Sequence, residues 1–250
     1  MARTFGDLTT DKIQWSGGIS VRSQTAASVV LWFRLGNIAT NDHGMFVDYA
    51  DFDNIALLVI QSAGQLYGLF RTPSGLADVT ATGPWDDGAW HRAALVRRNA
   101  SPYLELYVDG VSQASSTDDP GTSATAATNT SWGNINPEVA NSGFGGELAR
   151  CAFIAGTALT VAEADRFLFT GHIDYPLTQW LEMDGMALEW DRSGNLLHGT
   201  PVDAVGRTID PPSIVPVMPR PRVRWADVLS APAVGNIPEM QRAYRARRVA

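Results

Sequence analysis

An antiparallel β-sandwich is the fold class this sequence predicts, on three observations. Short β-branched and aromatic runs recur through the body of the chain. Gly and Asp turn signals separate them. A single convincing helical pattern follows, late in that body.

Taken in order, Ala27–Arg34 (ASVVLWFR) reads as a strand stopped by Gly36 and Asn37. Ala56–Ile60 and Gln65–Arg71 flank Ser62-Ala63-Gly64, a hairpin in which Gly64 supplies a positive φ. Trp90–Arg97 alternates, with Trp90, Arg92, Ala94 and Val96 on one face. This reading makes Trp90 a core residue and points His91 outward into solvent. Tyr103–Val108 alternates too and ends at the turn dipeptide Asp109-Gly110. Residues 112–134 are rich in Ser, Thr, Ala, Gly and Asp, and are expected to form a long surface loop. Glu147–Ala155 is a further strand. Thr160 then caps a helix, with Glu163 in capping-box spacing and Gly171 at its end. Val161, Ala164, Phe167 and Leu168 recur at helical spacing and face the core.

The character changes at Pro211. Seven prolines between positions 211 and 238 remove backbone donors and favour extended chain, so this stretch is an arm rather than a sheet. Asn236, Pro238 and Glu239 are an N-terminal helix signal, and residues 238–248 are expected to form a short terminal helix with Arg242, Arg245 and Arg248 along one side.

Composition agrees and excludes alternatives. With 45% hydrophobic residues in 250, a sizeable core can be buried. A charged fraction of 18% is too low for a long coiled coil. The lone Cys151 excludes a disulfide framework and Cys-rich zinc sites, and in mid-strand it reads as a small buried hydrophobe. The net charge of -7 conceals an asymmetry. Residues 211–250 hold seven arginines against two acids, about +5; the remaining 210 residues hold twelve bases against 24 acids, about -12. The first residues lack the apolar run of a signal peptide, and no stretch approaches the ~18 apolar residues of a membrane span, so synthesis in a cytosol is expected.

Four segments resemble a known family: Ser28-Val-Val-Leu-Trp-Phe-Arg34, Trp90-His-Arg-Ala-Ala-Leu-Val96, Leu104-Glu-Leu-Tyr-Val-Asp-Gly110 and Gly143-Phe-Gly-Gly-Glu-Leu-Ala-Arg-Cys-Ala-Phe153. In this order they are similar to the concanavalin A-like jelly roll in its laminin G-like form. The resemblance spans roughly residues 10 to 175. Asp191-Arg-Ser-Gly-Asn-Leu-Leu-His-Gly199 resembles an Asp-x-Ser-Gly-Asn-Gly-x-His-Gly element of many such proteins. There it usually precedes the sandwich; here it follows the helix, which suggests a closing strand or appended hairpin. The resemblance implies a lectin, a glycan-cleaving enzyme, an adhesion module or a structural protein of a tailed bacteriophage, and the sites must decide among these.

Enzymes of this fold carry Glu-x-Asp-x-x-Glu on one strand. Here Glu182 and Asp184 match, but Ala187 occupies the third position, Glu189 falls on the opposite face, and Gly185 interrupts the strand. His43, His91, His172 and His198 are scattered, and no catalytic residue is expected. No cofactor is expected either. The one candidate metal is calcium, on the oxygen-rich cluster of Asp48, Asp51 and Asp53 beside Asp42, Asn41 and Asn54. Glycan binding needs exposed aromatics, for which Trp85 and Trp132 are the candidates. In the arm and terminal helix, Arg220, Arg222, Arg224, Trp225, Arg242, Tyr244, Arg245 and Arg248 are the expected partner-binding residues, since Arg and Trp are favoured interface anchors. The acidic body would repel nucleic acid, so the arm suits an acidic protein surface.

The expectation is therefore one jelly-roll sandwich over residues 1–206 and a Pro/Arg-rich arm with a short helix over residues 207–250. The expected function is that of a non-enzymatic structural or decoration protein of a bacteriophage virion, in head or tail, made in the host cytoplasm. Its arm would fix it to other virion proteins or to copies of itself. The alternatives are a carbohydrate-binding lectin-like module that recognises surface glycans, and then a glycoside hydrolase. No membrane partner is expected.

Overall fold

Each apolar run read above pairs edge to edge with others, and the faces so formed must be covered. The computed structural model describes residues 2–5, 12–15, 20–36, 42–61, 64–134, 143–175, 177–181, 183, 193, 200–202 and 206–208. Among these, two antiparallel sheets pack face to face as a jelly-roll-like sandwich. The first sheet runs β10 (Val111–Ser116), β9 (Leu104–Val108), β8 (Trp90–Arg97), β3 (Ala27–Arg34), β12 (Glu147–Ala155), β1 (Ala2–Thr4), β15 (Gly206–Thr208); β13 (Gln179–Leu181) also pairs β12. The second runs β14 (Thr200–Val202), β2 (Lys12–Trp15), β11 (Asn129–Trp132), β4 (His43–Asp51), β5 (Asn54–Ile60), β6 (Leu66–Thr72), β7 (Gly75–Ala81).

The central core fills the space between the sheets. Val29, Leu31 and Phe33 of β3 and Leu95 of β8 meet Phe46, Leu58, Phe70 and Trp132 of the second sheet. Gly68 on β6 is required by this packing, because a Cβ there would lie 2.4 Å from Leu95 Cδ1. The β5–β6 hairpin turns at Gly64 with φ 71°, as expected.

A second apolar layer lies on the outer face of the first sheet. Helix α1 (Val161–Thr170) places Ala164, Phe167 and Leu168 on Val30, Trp32, Ala94, Val96, Ala152 and Ile154. The helix begins in the capping box of Thr160 and Glu163 and ends at Gly171 with φ 69°. The Leu168 carbonyl near that end accepts from both Trp32 Nε1 and Arg150 Nη1 at 3.0 Å. Arg92 lies over the rings of Trp32 and Phe169.

This second layer corrects the expected facing of β8. Ala94 and Val96 face the helix, while Ala93 and Leu95 face the sandwich core. His91, in register with them, therefore points inward and is only 9% exposed. Both faces are apolar, so alternation alone could not say which face was core.

The expected loop over residues 112–134 is also corrected. Val111–Ser116 forms the edge strand β10, and Asn129–Trp132 forms β11 between β2 and β4. The connecting residues 117–128 cross one end of the sandwich. Thr72 donates to the Pro120 carbonyl, Arg97 to that of Gly121, and Arg22 to that of Thr125. Strand β14 follows directly on Asp191–Gly199 and closes the edge of the second sheet against β2, while β15 pairs β1 and is the last described strand. Among the described residues, no helix is long and apolar enough to cross a membrane.

Because Phe167 is fully buried between the helix and the first sheet, Phe167→Ala should destabilise the protein by about 3–5 kcal/mol. Glu163→Ala, which removes half of a capping box, should cost only about 1 kcal/mol. Denaturant unfolding of both variants checks the ranking.

Candidate functional site

The residues of the hydrolase-like motif, Glu182, Asp184, Ala187 and Glu189, lie outside the described residues. Beside them, β13 ends at Leu181, and Met183 is buried with φ 56°. Cys151 is fully buried in the central core. Other acids are paired with arginines: Glu147 with Arg34, and Glu105 with Arg98.

The calcium candidates point in different directions. Asp48 faces the interior of the sandwich, where its Oδ2 accepts from Ser20 Oγ at 2.6 Å and Val21 N at 2.8 Å. Its Oδ1 accepts from Arg22 Nε and Nη2, each at 3.2 Å. Both members of this ion pair have fully buried side chains. Asp51 instead caps the β4–β5 turn, accepting from Asp53 N and Asn54 Nδ2. Asp53 is exposed and lies 3.7 Å from Arg71 Nε. Alternation along β4 separates Asp48 from the turn, so the three carboxylates do not converge and do not fit a shared cation.

The aromatic candidates are corrected likewise. Trp132 is fully buried against Phe46 and donates its indole N–H to Gln179 Oε1 at 3.1 Å. It lies on the core face of β11, so it cannot stack on a ligand at the surface. Trp85 is half-buried, packs on the central core, and donates Nε1–H to the Ala81 carbonyl at 3.3 Å. Its ring meets His91 edge-on at 5.3 Å.

The outer face of the second sheet holds features the sequence reading missed. Val47 and Tyr49 of β4 and Ile55, Leu57 and Val59 of β5 form a third buried apolar cluster. The apolar side chains packed against it, Tyr67 and Leu69, belong to β6 of the same sheet. On the adjacent strand, Asn129 is in register with Tyr49, and Ser131 with Val47, so both polar side chains share this face. Both are buried. Among the described residues, neither end of the Asn129 amide, nor the Ser131 hydroxyl, has a hydrogen-bond partner. Each unspent buried group costs about 1–3 kcal/mol. Burial also pushes the Tyr67 phenol up to about 12, helped by the neighbouring Asp78. Ser and Asn in a Ser/Thr-rich stretch carried no sequence signal until β11 placed them beside the tyrosines.

The arm residues Arg220, Arg222, Arg224, Trp225, Arg242, Tyr244, Arg245 and Arg248 lie outside the described residues.

A family model described as the Concanavalin A-like lectin/glucanases superfamily matches residues 7–164. A search of curated proteins returns no match. Among solved structures, a candidate carbohydrate-binding protein from Bacteroides ovatus is similar at TM-score 0.62 and 14% identity, covering 86% of this chain and 61% of that one. The chain thus spans about six tenths of that protein's length. A heptameric SAP-like pentraxin from Limulus polyphemus is similar at TM-score 0.56 and 13% identity, covering 83% and 95%. Domains LG4-5 of the mouse laminin alpha1 chain give 0.49 and 16%, covering 64% and 42%. At these identities the likeness is one of fold.

The buried ion pair gives a direct test of where these charges act. Arg22→Ala strands Asp48 in the interior and should destabilise by about 3–5 kcal/mol, whereas the paired Arg22→Met, Asp48→Leu replacement should cost far less. Urea unfolding of the two variants distinguishes them.

Proposed function

This chain belongs to the Concanavalin A-like lectin/glucanases superfamily, and on that premise we propose that it is a non-catalytic display module. It is a virion structural or decoration protein of a bacteriophage, made in the host cytoplasm and held on the particle by its C-terminal segment. The observation that carries this reading is the segregation of charge: seven of nineteen basic residues fall in residues 211–250, on a stretch with seven prolines, against an acidic body. Proline-rich chain is already extended, so it loses little entropy when it docks. Arginines beside Trp225 and Tyr244 suit an acidic protein surface, either another virion component or another copy. The titratable groups of the sandwich support the non-catalytic part, since His91 lies between two aspartates and Asp48 is paired with Arg22.

Carbohydrate recognition is the second reading. Superfamily membership and the fold shared with the Bacteroides protein support it, and of the two aromatic candidates Trp85, unlike Trp132, is only half-buried.

The two readings separate experimentally. In the full chain, the triple replacement Arg220→Ala, Arg222→Ala, Arg224→Ala should abolish incorporation into particles while circular dichroism and thermal unfolding stay unchanged; wild-type incorporation contradicts the attachment reading. On a glycan array, the second reading expects saturable binding by the full-length protein that falls at least tenfold in Trp85→Ala, and an array without binding contradicts it.

A further inference from the structure

Both ring nitrogens of His91 face carboxylates. Nδ1 lies 2.8 Å from Asp109 Oδ2, and Nε2 lies 3.1 Å from Asp87 Oδ1. A neutral imidazole has one N–H and one lone pair, so it satisfies one of these acids and turns a lone pair on the other; the imidazolium donates to both. The two aspartates belong to different turns. Asp109 sits in the β9–β10 turn with φ 51°, and its Oδ1 accepts from Arg92 N at 2.9 Å. Asp87 lies on the 83–89 connection into β8, with a side chain 47% exposed, and its Oδ1 also accepts from Ala89 N at 2.7 Å. The same connection carries Trp85, whose backbone N–H bonds to the Gly64 carbonyl at 3.1 Å, while Gly88 N–H bonds to that of Leu35 at 2.9 Å.

We propose that His91 is a proton-operated clasp: protonated, it ties the Trp85-bearing connection to the β9–β10 turn, and deprotonated, it keeps Asp109 and releases Asp87. Asp109 is the acid retained because it is closer and is independently fixed by the Arg92 backbone. Asp87 is the acid released because its other bond among the described residues, from Ala89 N, is local.

The charges around His91 favour the closed form at neutral and lower pH. From β8 itself, Arg92 Nε stands 3.7 Å from Asp109 Oδ1 and equally far from Asp165 Oδ1 of the helix. From β3, Phe33 contributes only its ring, 5.5 Å away. Burial opposes the charged imidazole, but the bonds to Asp109 and Asp87 outweigh it and raise its pKa. The Ala89 N–H and then His91 hold Asp87 below the usual carboxylate range. Burial opposes ionisation of Asp109, and His91 with the Arg92 N–H more than offsets it. Both acids are thus ionised throughout the histidine's titration. A group whose folded pKa is raised stabilises fully below its unfolded pKa of about 6.5, and the contribution is lost as pH rises through the folded value.

The clasp is tested on the full-length protein by following the His91 Cε1–H chemical shift from pH 5 to pH 9, alongside hydrogen exchange of the amides at residues 85–89. Exchange is corrected for its intrinsic base catalysis. Protection of these amides should fall several-fold with the same midpoint as the His91 titration. In Asp87→Asn, which keeps an acceptor but removes the charge, the midpoint should move to lower pH. In His91→Gln the pH-dependent step should vanish. A step that persists in His91→Gln overturns the proposal. So does a wild-type His91 that titrates with no change in protection, or that does not titrate in this range. If His91→Gln fails to fold, the midpoint shift in Asp87→Asn decides alone.

Discussion

The structure depends on strands that are buried on both faces. Every residue of β3 from Ala27 to Phe33 is buried, and the whole of β5 is as well. An ordinary sandwich strand needs one covered face, and its other face can be polar. Here β3 has Leu31 and Phe33 in the central core and Val30 and Trp32 beneath helix α1. Neither layer can be removed without exposing half of the middle strand, at about 25 cal/mol for each Å² of apolar surface returned to water. The same demand explains the attention given to the helix, which has a capping box at one end and two side-chain donors on the Leu168 carbonyl near the other.

Two-sided burial also governs where charge can go. Arg22 and Arg97 are almost wholly enclosed near the end crossed by residues 117–128, and both donate to carbonyls of that connection. Arg22 has Asp48 to neutralise it, whereas Arg97 lies over the Phe70 ring and has no ion pair among the described residues, with Nε and Nη1 unspent. Burial lowers its pKa accordingly. Both arginines hold the 117–128 connection against that end of the sandwich.

What was legible in the sequence was whatever local rules decide. The Gly64 turn, the Asp109-Gly110 turn and the Thr160–Glu163 box follow from backbone conformations and caps that a few residues determine. The four segments resembling laminin G-like proteins gave the strands in order. What was not legible depended on neighbours distant in sequence. The direction of His91 could not be read, because helix α1 makes the Ala94–Val96 face as apolar as the Ala93–Leu95 face. Strands β10 and β11 lie in a polar stretch, and they are strands because β9, β2 and β4 offer unpaired edges. That pairing moves Trp132 from an expected loop into the core and brings Asn129 and Ser131 beside tyrosine. Asp48 looked like a surface ligand until alternation along β4 turned it onto Arg22.

The central claim is that the middle strands bind both apolar layers into one cooperative unit. Native-state hydrogen exchange in increasing denaturant tests it most directly. Amides of β3, β8 and β12 should exchange only through global unfolding, with helix α1 merging into that same transition. An α1 that opens at much lower free energy while β3 remains fully protected would contradict the claim.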